Sequence, residues 1–370
     1  MKIQCQKSQL VEAVSNVQRA VSSKSTLAAL EGILLKTTTN GDLKLCGYDL
    51  ELGITTVIEA QVDEPGEVVL SARLFGDIVR RLPDETVTIL VDEKMITCGP
   101  SEFSIVGIPS SEYPELPSVE GASSIDLTSP ILKSMIRQTL FAVADTDAKP
   151  VHTGTLFNIE NGIIRLVSVD GYRLAMRTEM INLKFEEEDE IRFVVPGKTL
   201  SEVIKLLPDQ DENVEILVGR RHIIFKIEKY SVISRLLEGE FLDYKAAIPA
   251  QFTTEVTVNT RNLINSVERV SLLITDRLKS PVRCIFSEDG EIKISCVTSI
   301  GKANDELSAQ ITGPEVEIGF NNRYLLDALR NADTDEVKVQ LTGPVSPMKI
   351  VPTQGDSFLF LVLPVRLKQE

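Results

Sequence analysis

The chain has 370 residues, 43% apolar and 25% charged, which places it in the globular range and outside the composition of disordered chains. Its 54 acidic side chains outnumber 39 basic ones, for a net charge of −15. That excludes a uniformly basic nucleic-acid binder and leaves open binding by one local face. The longest strongly apolar run, Phe358 to Val365, has only a strand's length, against about 20 residues for a membrane helix. The start, Met-Lys-Ile-Gln-Cys-Gln, lacks the apolar core of a signal peptide, so a cytoplasmic protein is expected. Five widely spaced cysteines (Cys5, Cys46, Cys98, Cys284, Cys296) form no Cys-x-x-Cys pair; buried free thiols are expected, with no zinc site or disulfide framework.

In chain order, Leu10, Val14, Val17 and Val21 predict an amphipathic helix over 8–21, with Ser8 as its N-cap. Asn40-Gly41 marks a hairpin beside the strand Leu43–Leu45. A second helix spans 72–82 and a β-rich stretch covers Phe103–Ile108. A proline-rich link to Pro117 follows. The order then recurs. A helix over 129–144, capped by Ser129, precedes the turn Asn161-Gly162 and the strand Ile163–Val169. A helix at 198–207, a strand at Tyr230–Leu236 and a link to Pro249 come next. The third round has helices at 260–274 and 322–331, the turn Asp289-Gly290, a strand at Ile292–Val297 and a terminal strand at Phe358–Leu363.

The recurrence is a repeat. Segments 72–83, 197–208 and 322–333 align without gaps at a spacing of 125 residues. Arg73, Lys198 and Arg323 share one column. Asp77, Glu202 and Asp327 share the next, and Arg80, Lys205 and Arg330 a third. Apolar columns between them keep helical spacing. The sequence therefore predicts an α+β fold of three repeated domains, 1–121, 122–250 and 251–370, each with two helices and two antiparallel sheets. A linear array and part of a ring are both compatible with it.

Motifs that suggest chemistry fail on inspection. Pro196-Gly-Lys-Thr199 lacks the upstream glycine of a phosphate loop, since Arg192 stands there. The two histidines, His152 and His222, belong to no metal or triad motif. The acidic run Glu186–Glu190 lacks the spaced ligands and turn glycine of a cation loop. No catalytic residues, metal or cofactor are expected. Charge is segregated instead. The six predicted helices carry twelve basic and five acidic side chains, a surplus of +7, which leaves −22 for the rest. If the helices share a surface, it attracts phosphates without reading sequence, and the exterior repels DNA. Intrahelical pairing of Arg73 and Arg80 with Asp77 is the competing account.

Four motifs in order across the repeats carry a resemblance over essentially the full chain. They are Val169-Asp-Gly-Tyr-Arg-Leu174, Glu238-Gly-Glu-Phe-Leu-Asp-Tyr244, Ile318-Gly-Phe-Asn-Asn-Arg-Tyr324 and Leu363-Pro-Val-Arg-Leu367. The sequence resembles the bacterial sliding clamps, the β subunits of DNA polymerase III. The resemblance implies a head-to-tail homodimer whose six domains close a ring around duplex DNA. It also implies a non-enzymatic role: tethering the polymerase and recruiting the clamp loader, other polymerases and repair proteins by linear peptides. Lys24, Arg73, Lys198 and Lys205 match family positions near DNA; Arg80, Arg137 and Arg330 are added from charge alone. Ile78, Leu82, Phe103 and Ile105 match one side of the dimer interface and Leu272 and Leu273 the other, with domain core as the alternative for each. The peptide groove would use His152, Val169, Gly171, Tyr172, Arg173, Leu174, Leu242, Asp243, Ala247, Asn321, Tyr324, Val345, Leu363, Pro364, Val365 and Arg366. Leu363 and Val365 sit on a terminal segment expected to move aside for a peptide. Leu242 and His152 depart from the family's usual proline and apolar residue, and Lys368–Glu370 extend past its usual end. A repeat scaffold without DNA and a nucleic-acid enzyme are the rival readings. The enzyme needs clustered carboxylates for metal ions, whereas the acidic column is spread one per repeat.

Overall fold

The computed structural model describes residues 1–83, 85–119, 123–146, 149–181, 190–275, 277–278 and 280–367. The first repeat runs β1 (Lys2–Gln6), α1 (Lys7–Val17), β2 (Gly32–Thr37), β3 (Leu43–Tyr48), β4 (Leu52–Ile58), β5 (Gln61–Glu64), β6 (Glu67–Ser71), α2 (Ala72–Arg81), β7 (Thr86–Leu90), β8 (Met95–Cys98) and β9 (Ser101–Ser104). The second runs β10 (Ser123–Thr128), α3 (Ser129–Leu140), β11 (Gly154–Glu160), β12 (Ile163–Val169), β13 (Arg173–Met180), β14 (Ile191–Pro196), α4 (Gly197–Leu206), β15 (Asn213–Val218), β16 (His222–Ile227), β17 (Tyr230–Arg235) and a single turn, α5 (Tyr244–Ala247). The third runs β18 (Thr254–Asn259), α6 (Thr260–Ser271), β19 (Val282–Phe286), β20 (Glu291–Thr298), β21 (Gly301–Ser308), β22 (Gln310–Thr312), β23 (Val316–Phe320), α7 (Asn322–Arg330), β24 (Glu336–Leu341), β25 (Met348–Pro352) and β26 (Phe358–Val362). The expected boundary at 121, residues 186–189 of the acidic run and the tail 368–370 lie outside the described residues.

Each long helix follows a strand without a loop. That overturns Ser8 as a cap. The chain passes from β1 through Gln6 directly into α1, and no side chain caps that end. Ser129 is the first residue of α3, and its hydroxyl donates to the Pro208 carbonyl at 2.6 Å. Asparagine does the capping in the third repeat: Asn259 accepts from the Asn262 N–H and Asn321 from the Arg323 N–H, each at 3.0 Å. The three hairpins fall at the predicted turns. At Asn161 and Gly162 both φ angles are positive, 53° and 72°, the backbone that a two-residue hairpin needs. Phe103–Ile108 is only partly a strand: β9 ends at Ser104 and Ile108 makes one isolated bridge, to Val69.

Among the described residues every strand pair is antiparallel, and the repeats share their sheets. In order, the four sheets are β5-β1-β7-β8-β9; β10-β15-β16-β17-β4-β3-β2-β6; β14-β11-β12-β13-β26-β25-β24-β18-β22; and β21-β20-β19-β23. The eight-stranded sheet fuses two repeats through β17 and β4, in register from Tyr230 opposite Thr56 to Ser234 opposite Leu52. The nine-stranded sheet fuses two repeats through β13 and β26, from Arg173 opposite Val362 to Arg177 opposite Phe358. Contacts accordingly group the chain as unit 1 (1–131 and 201–236) and unit 2 (132–200 and 237–370), so the middle repeat is divided.

In unit 1, α1 packs on α2 and β4. The phenol of Tyr230 on β17 donates to Glu12 at 2.9 Å and accepts from the Asn16 amide at 2.7 Å. In unit 2, α6 packs on α7 and on β20 and β21. Phe358 stacks on Phe360 at 4.9 Å, with the Phe141 ring edge-on to Phe360 at 5.3 Å. All five cysteines are buried and free. Burial pushes Cys5 and Cys284 up to about 12 and Cys46 to about 11. With so little thiolate near neutrality, the native chain is expected to react negligibly with a disulfide reagent at pH 8 and to yield five thiols once denatured. Fast labelling of any thiol in the native chain would contradict this packing.

Candidate functional site

Among the described residues, some of the cations expected near DNA are paired with a carboxylate, and Lys24 and Arg73 are not. In unit 1, Lys24 and Arg73 are exposed, and among the described residues neither makes an ion pair. Arg73 does not take Asp77. That carboxylate accepts from Arg81 and Arg80, each at 3.1 Å, and these bonds hold it below the usual carboxylate range. Lys205 pairs with Glu202 at 2.7 Å, and Arg19 lies 3.9 Å from the same carboxylate. In unit 2, Lys198 is exposed in the first turn of α4. Arg137 pairs with Asp333 at 2.9 Å and Arg330 with Glu268 at 2.7 Å. Intrahelical pairing is thus real at Arg80 and Lys205 and absent at Arg73. Ion pairs of solvent-facing cations such as Arg80, Arg137 and Arg330 are weak, because water solvates and salt screens both charges.

A second constellation lies wholly in unit 2 and centres on Arg173. Its Nε donates to Asp170 at 2.9 Å, and its Nη1 donates to Asp327 on α7. The guanidinium sits 4.6 Å from the Tyr324 ring centre and 5.5 Å from that of Phe141. Asp170 also accepts from the backbone N–H groups of Tyr172 and Arg173, at 2.9 and 3.0 Å. This Asx turn bends the chain through Gly171, whose φ is +85°. The turn lifts Tyr172 outward, 59% exposed, with its ring stacked on Tyr324 at 5.6 Å. Leu363, Val365 and Val345 are exposed, whereas Val169 and Leu174 are buried and support the surface from below.

The terminal segment makes two backbone hydrogen bonds to other elements. The Leu363 N–H donates to the Tyr172 carbonyl at 2.9 Å and the Val365 N–H to that of Gly319 at 2.8 Å. In this structure the side chains are presented while the backbone is tied, so moving the segment aside would break these two bonds. Pro364 is half-buried and Arg366 exposed.

Beside the motif Glu238–Tyr244 lies a cleft of about 540 Å³, lined by Lys149, Pro150, Val151, Glu238, Glu240, Phe241, Leu242 and Asp243. His152 meets Phe241 edge-on at 5.6 Å. Asp243 and Asn321 are occupied as caps, Asp243 accepting from the Ala246 N–H at 3.4 Å. Ala247 is exposed on α5. Sequence reasoning missed Asp170, Phe141 and Asp327 as the partners that orient Arg173. Asp170 was visible inside a quoted motif and Asp327 in the acidic column; nothing in sequence marked Phe141. Lys149, Glu238, Glu240 and Phe241 were missed as cleft walls.

The third feature is a pair of open sheet edges. β9 closes one end of the five-stranded sheet and β21 one end of the four-stranded sheet. Near β9, Phe103 is 37% exposed; near β21, Leu272 is 80% exposed. Ile105 and Leu273 are half-buried. Ile78 and Leu82 lie buried in unit 1, with little surface left for a second copy.

Family models of the N-terminal, central and C-terminal domains of the DNA polymerase III beta subunit match residues 1–117, 126–243 and 245–366. The chain belongs to the DNA polymerase III beta subunit family. It is 34% identical to the beta sliding clamp of Bacillus subtilis (strain 168), over 99% of this chain and all of that one. Among solved structures it is similar to the DNA polymerase sliding clamp from Bacillus subtilis, with a TM-score of 0.95, 34% identity and full coverage of both chains. It is also similar to a DNA polymerase III beta subunit structure from Eubacterium rectale, with a TM-score of 0.93, 37% identity and 99% coverage of both. The family is non-catalytic. Among the described residues no group of three or more His, Cys, Asp or Glu could hold a metal ion, and no helix is long and apolar enough to cross a membrane.

Proposed function

We propose that two copies of this chain close into a ring around duplex DNA and slide along it as a processivity clamp, with domains 1–121, 122–250 and 251–370. The observation that carries this reading is the rule by which the repeats join. β17 pairs with β4, and β26 pairs with β13. By position in their repeats, β9 corresponds to β17 and β26, and β21 corresponds to β4 and β13. The third pairing of the series is therefore β9 with β21. Supplied by a second copy, it would be made twice and leave neither of these edges unpaired.

In this reading Lys24, Arg73, Lys198 and Lys205, with Arg80, Arg137 and Arg330, face DNA and hold it by weak phosphate contacts that permit sliding. The surface around Arg173, Tyr172, Tyr324 and Leu363 takes linear peptides of the Gln-Leu-x-Leu-Phe type from polymerases, the clamp loader and repair proteins. The work is cytoplasmic and non-enzymatic. The test is retention on nicked circular DNA after loading. Replacing Arg73, Lys198 and Lys205 together by alanine is expected to speed loss from the circle. It should also lower the salt dependence by about one unit of slope per residue. An unchanged salt slope would exclude these three from the DNA surface.

A further inference from the structure

One cleft of unit 1 reverses the acidic character of the chain. It measures about 330 Å³ and is lined by Ser118, Val119, Gly219, Arg220, Arg221 and His222, at the turn between β15 and β16. Arg235 on β17 stands opposite His222 in the sheet register. Arg220 and Arg221 are exposed, and Arg220 makes no ion pair among the described residues. Among the described residues none that lines the cleft is acidic. The walls are packed against each other: a Cβ on Gly219 would lie 2.6 Å from the Val119 Cγ1. Partial burial, then Arg235 and Arg221, hold the His222 imidazolium below its ordinary range, so the positive field reaches a neighbouring titratable group.

We propose that this cleft binds an acidic linear segment of a partner protein, with Arg220 and Arg221 taking its carboxylates. Guanidinium forks match carboxylate geometry. Val119 offers an apolar wall to the stem of a glutamate. Among the described residues the lining has no Phe, Tyr or Trp ring, and its one imidazole, His222, is flanked by Arg221 and Arg235, an environment that suits carboxylates better than a run of stacked bases. Outside the helices the chain carries a large negative excess, so an acidic segment is repelled from most of the exterior and steered here. The site is distinct from the groove around Arg173, where Tyr172, Val345, Leu363 and Val365 expose aromatic and apolar surface.

The chain has only two histidines, so their ring signals report separately on His222 and His152. The experiment titrates the full chain with capped hexaglutamate, capped hexaglutamine, inorganic phosphate and a six-base thymidine strand, following both rings by NMR. Hexaglutamate is expected to bind with a Kd on the order of 0.1 mM, to raise the His222 pKa and to leave His152 unmoved. Hexaglutamine should do neither. Arg220→Glu with Arg221→Glu should weaken hexaglutamate more than about tenfold. The milder Arg220→Gln, at an exposed position, should weaken it severalfold and keeps the test open if the double variant does not fold. No response of His222 at millimolar hexaglutamate would overturn the proposal. So would an undiminished response in the variants, or a His222 response to phosphate or the DNA strand at equal or higher affinity.

Discussion

Replacing Arg173 with alanine is expected to destabilise unit 2 by about 3–5 kcal/mol and to abolish peptide binding. The Arg173 and Asp170 side chains are each only 12% exposed, so removing the cation strands a largely buried carboxylate beside an empty space. The Asx turn would lose the tie that fixes Tyr172 against Tyr324, because Asp170 serves both the turn and the guanidinium. Asp327 is more exposed, at 36%, and Asp327→Asn should cost less. A double-mutant cycle should give a coupling of about 0.5–3 kcal/mol between the two. Leu363→Ala separates stability from function. Its side chain is partly exposed and its backbone bond to Tyr172 survives the change. Urea unfolding should scarcely move, while calorimetric binding of a Gln-Leu-x-Leu-Phe peptide should be lost. An Arg173→Ala chain as stable as the wild type would mean that the guanidinium does not organise this surface.

What sequence could show follows from the range of each interaction. The helices were legible because a buried stripe at spacings of three and four residues is local: Leu10, Val14 and Val17 are all buried in α1, and Leu325, Leu326 and Leu329 in α7. The hairpins were legible because Asn-Gly and Asp-Gly turns need only neighbouring residues. The fusion of β17 to β4 and of β26 to β13 was not legible. An edge strand and a central strand show the same alternation, and edge choice is made by backbone groups that every residue carries. Arg173 illustrates the same limit at the site. Its motif was recognised, yet its carboxylate partner on α7 lies 154 residues away and belongs to a column that sequence alone assigned to helix-surface pairing. The two backbone bonds of the terminal segment were not legible either, because its apolar side chains say nothing of where its N–H groups go. The single turn of α5 was read as a linker, since four residues give no period, although Asp243 supplies its cap.

The β9–β21 pairing yields the second large effect. Leu272→Asp or Phe103→Asp is expected to convert a dimer, near twice 40.9 kDa, into a folded monomer. Leu272 is 80% exposed in the single chain, so a charge there meets water in the monomer and costs little, whereas Phe103, at 37%, should cost the monomer somewhat more. Across a closed interface either substitution would forfeit the roughly 1.5–3 kcal/mol of burying a large apolar side chain and would add an uncompensated charge. Together these should raise the dissociation constant by more than about a hundredfold. Ile78 and Leu82 predict the opposite pattern. They are buried within unit 1, so truncating either should cost monomer stability first, by about 2–5 kcal/mol. Sedimentation across micromolar concentrations separates the cases. A wild-type chain that stays monomeric, or aspartate variants that dimerise as well as wild type, would leave β9 and β21 unpaired and remove the argument for a closed ring. A wild-type dimer with both aspartate variants monomeric and folded would place the interface at these two edges. Retention on circular DNA should then fall in step with dimerisation, because a ring that opens releases its DNA whatever its helices contribute.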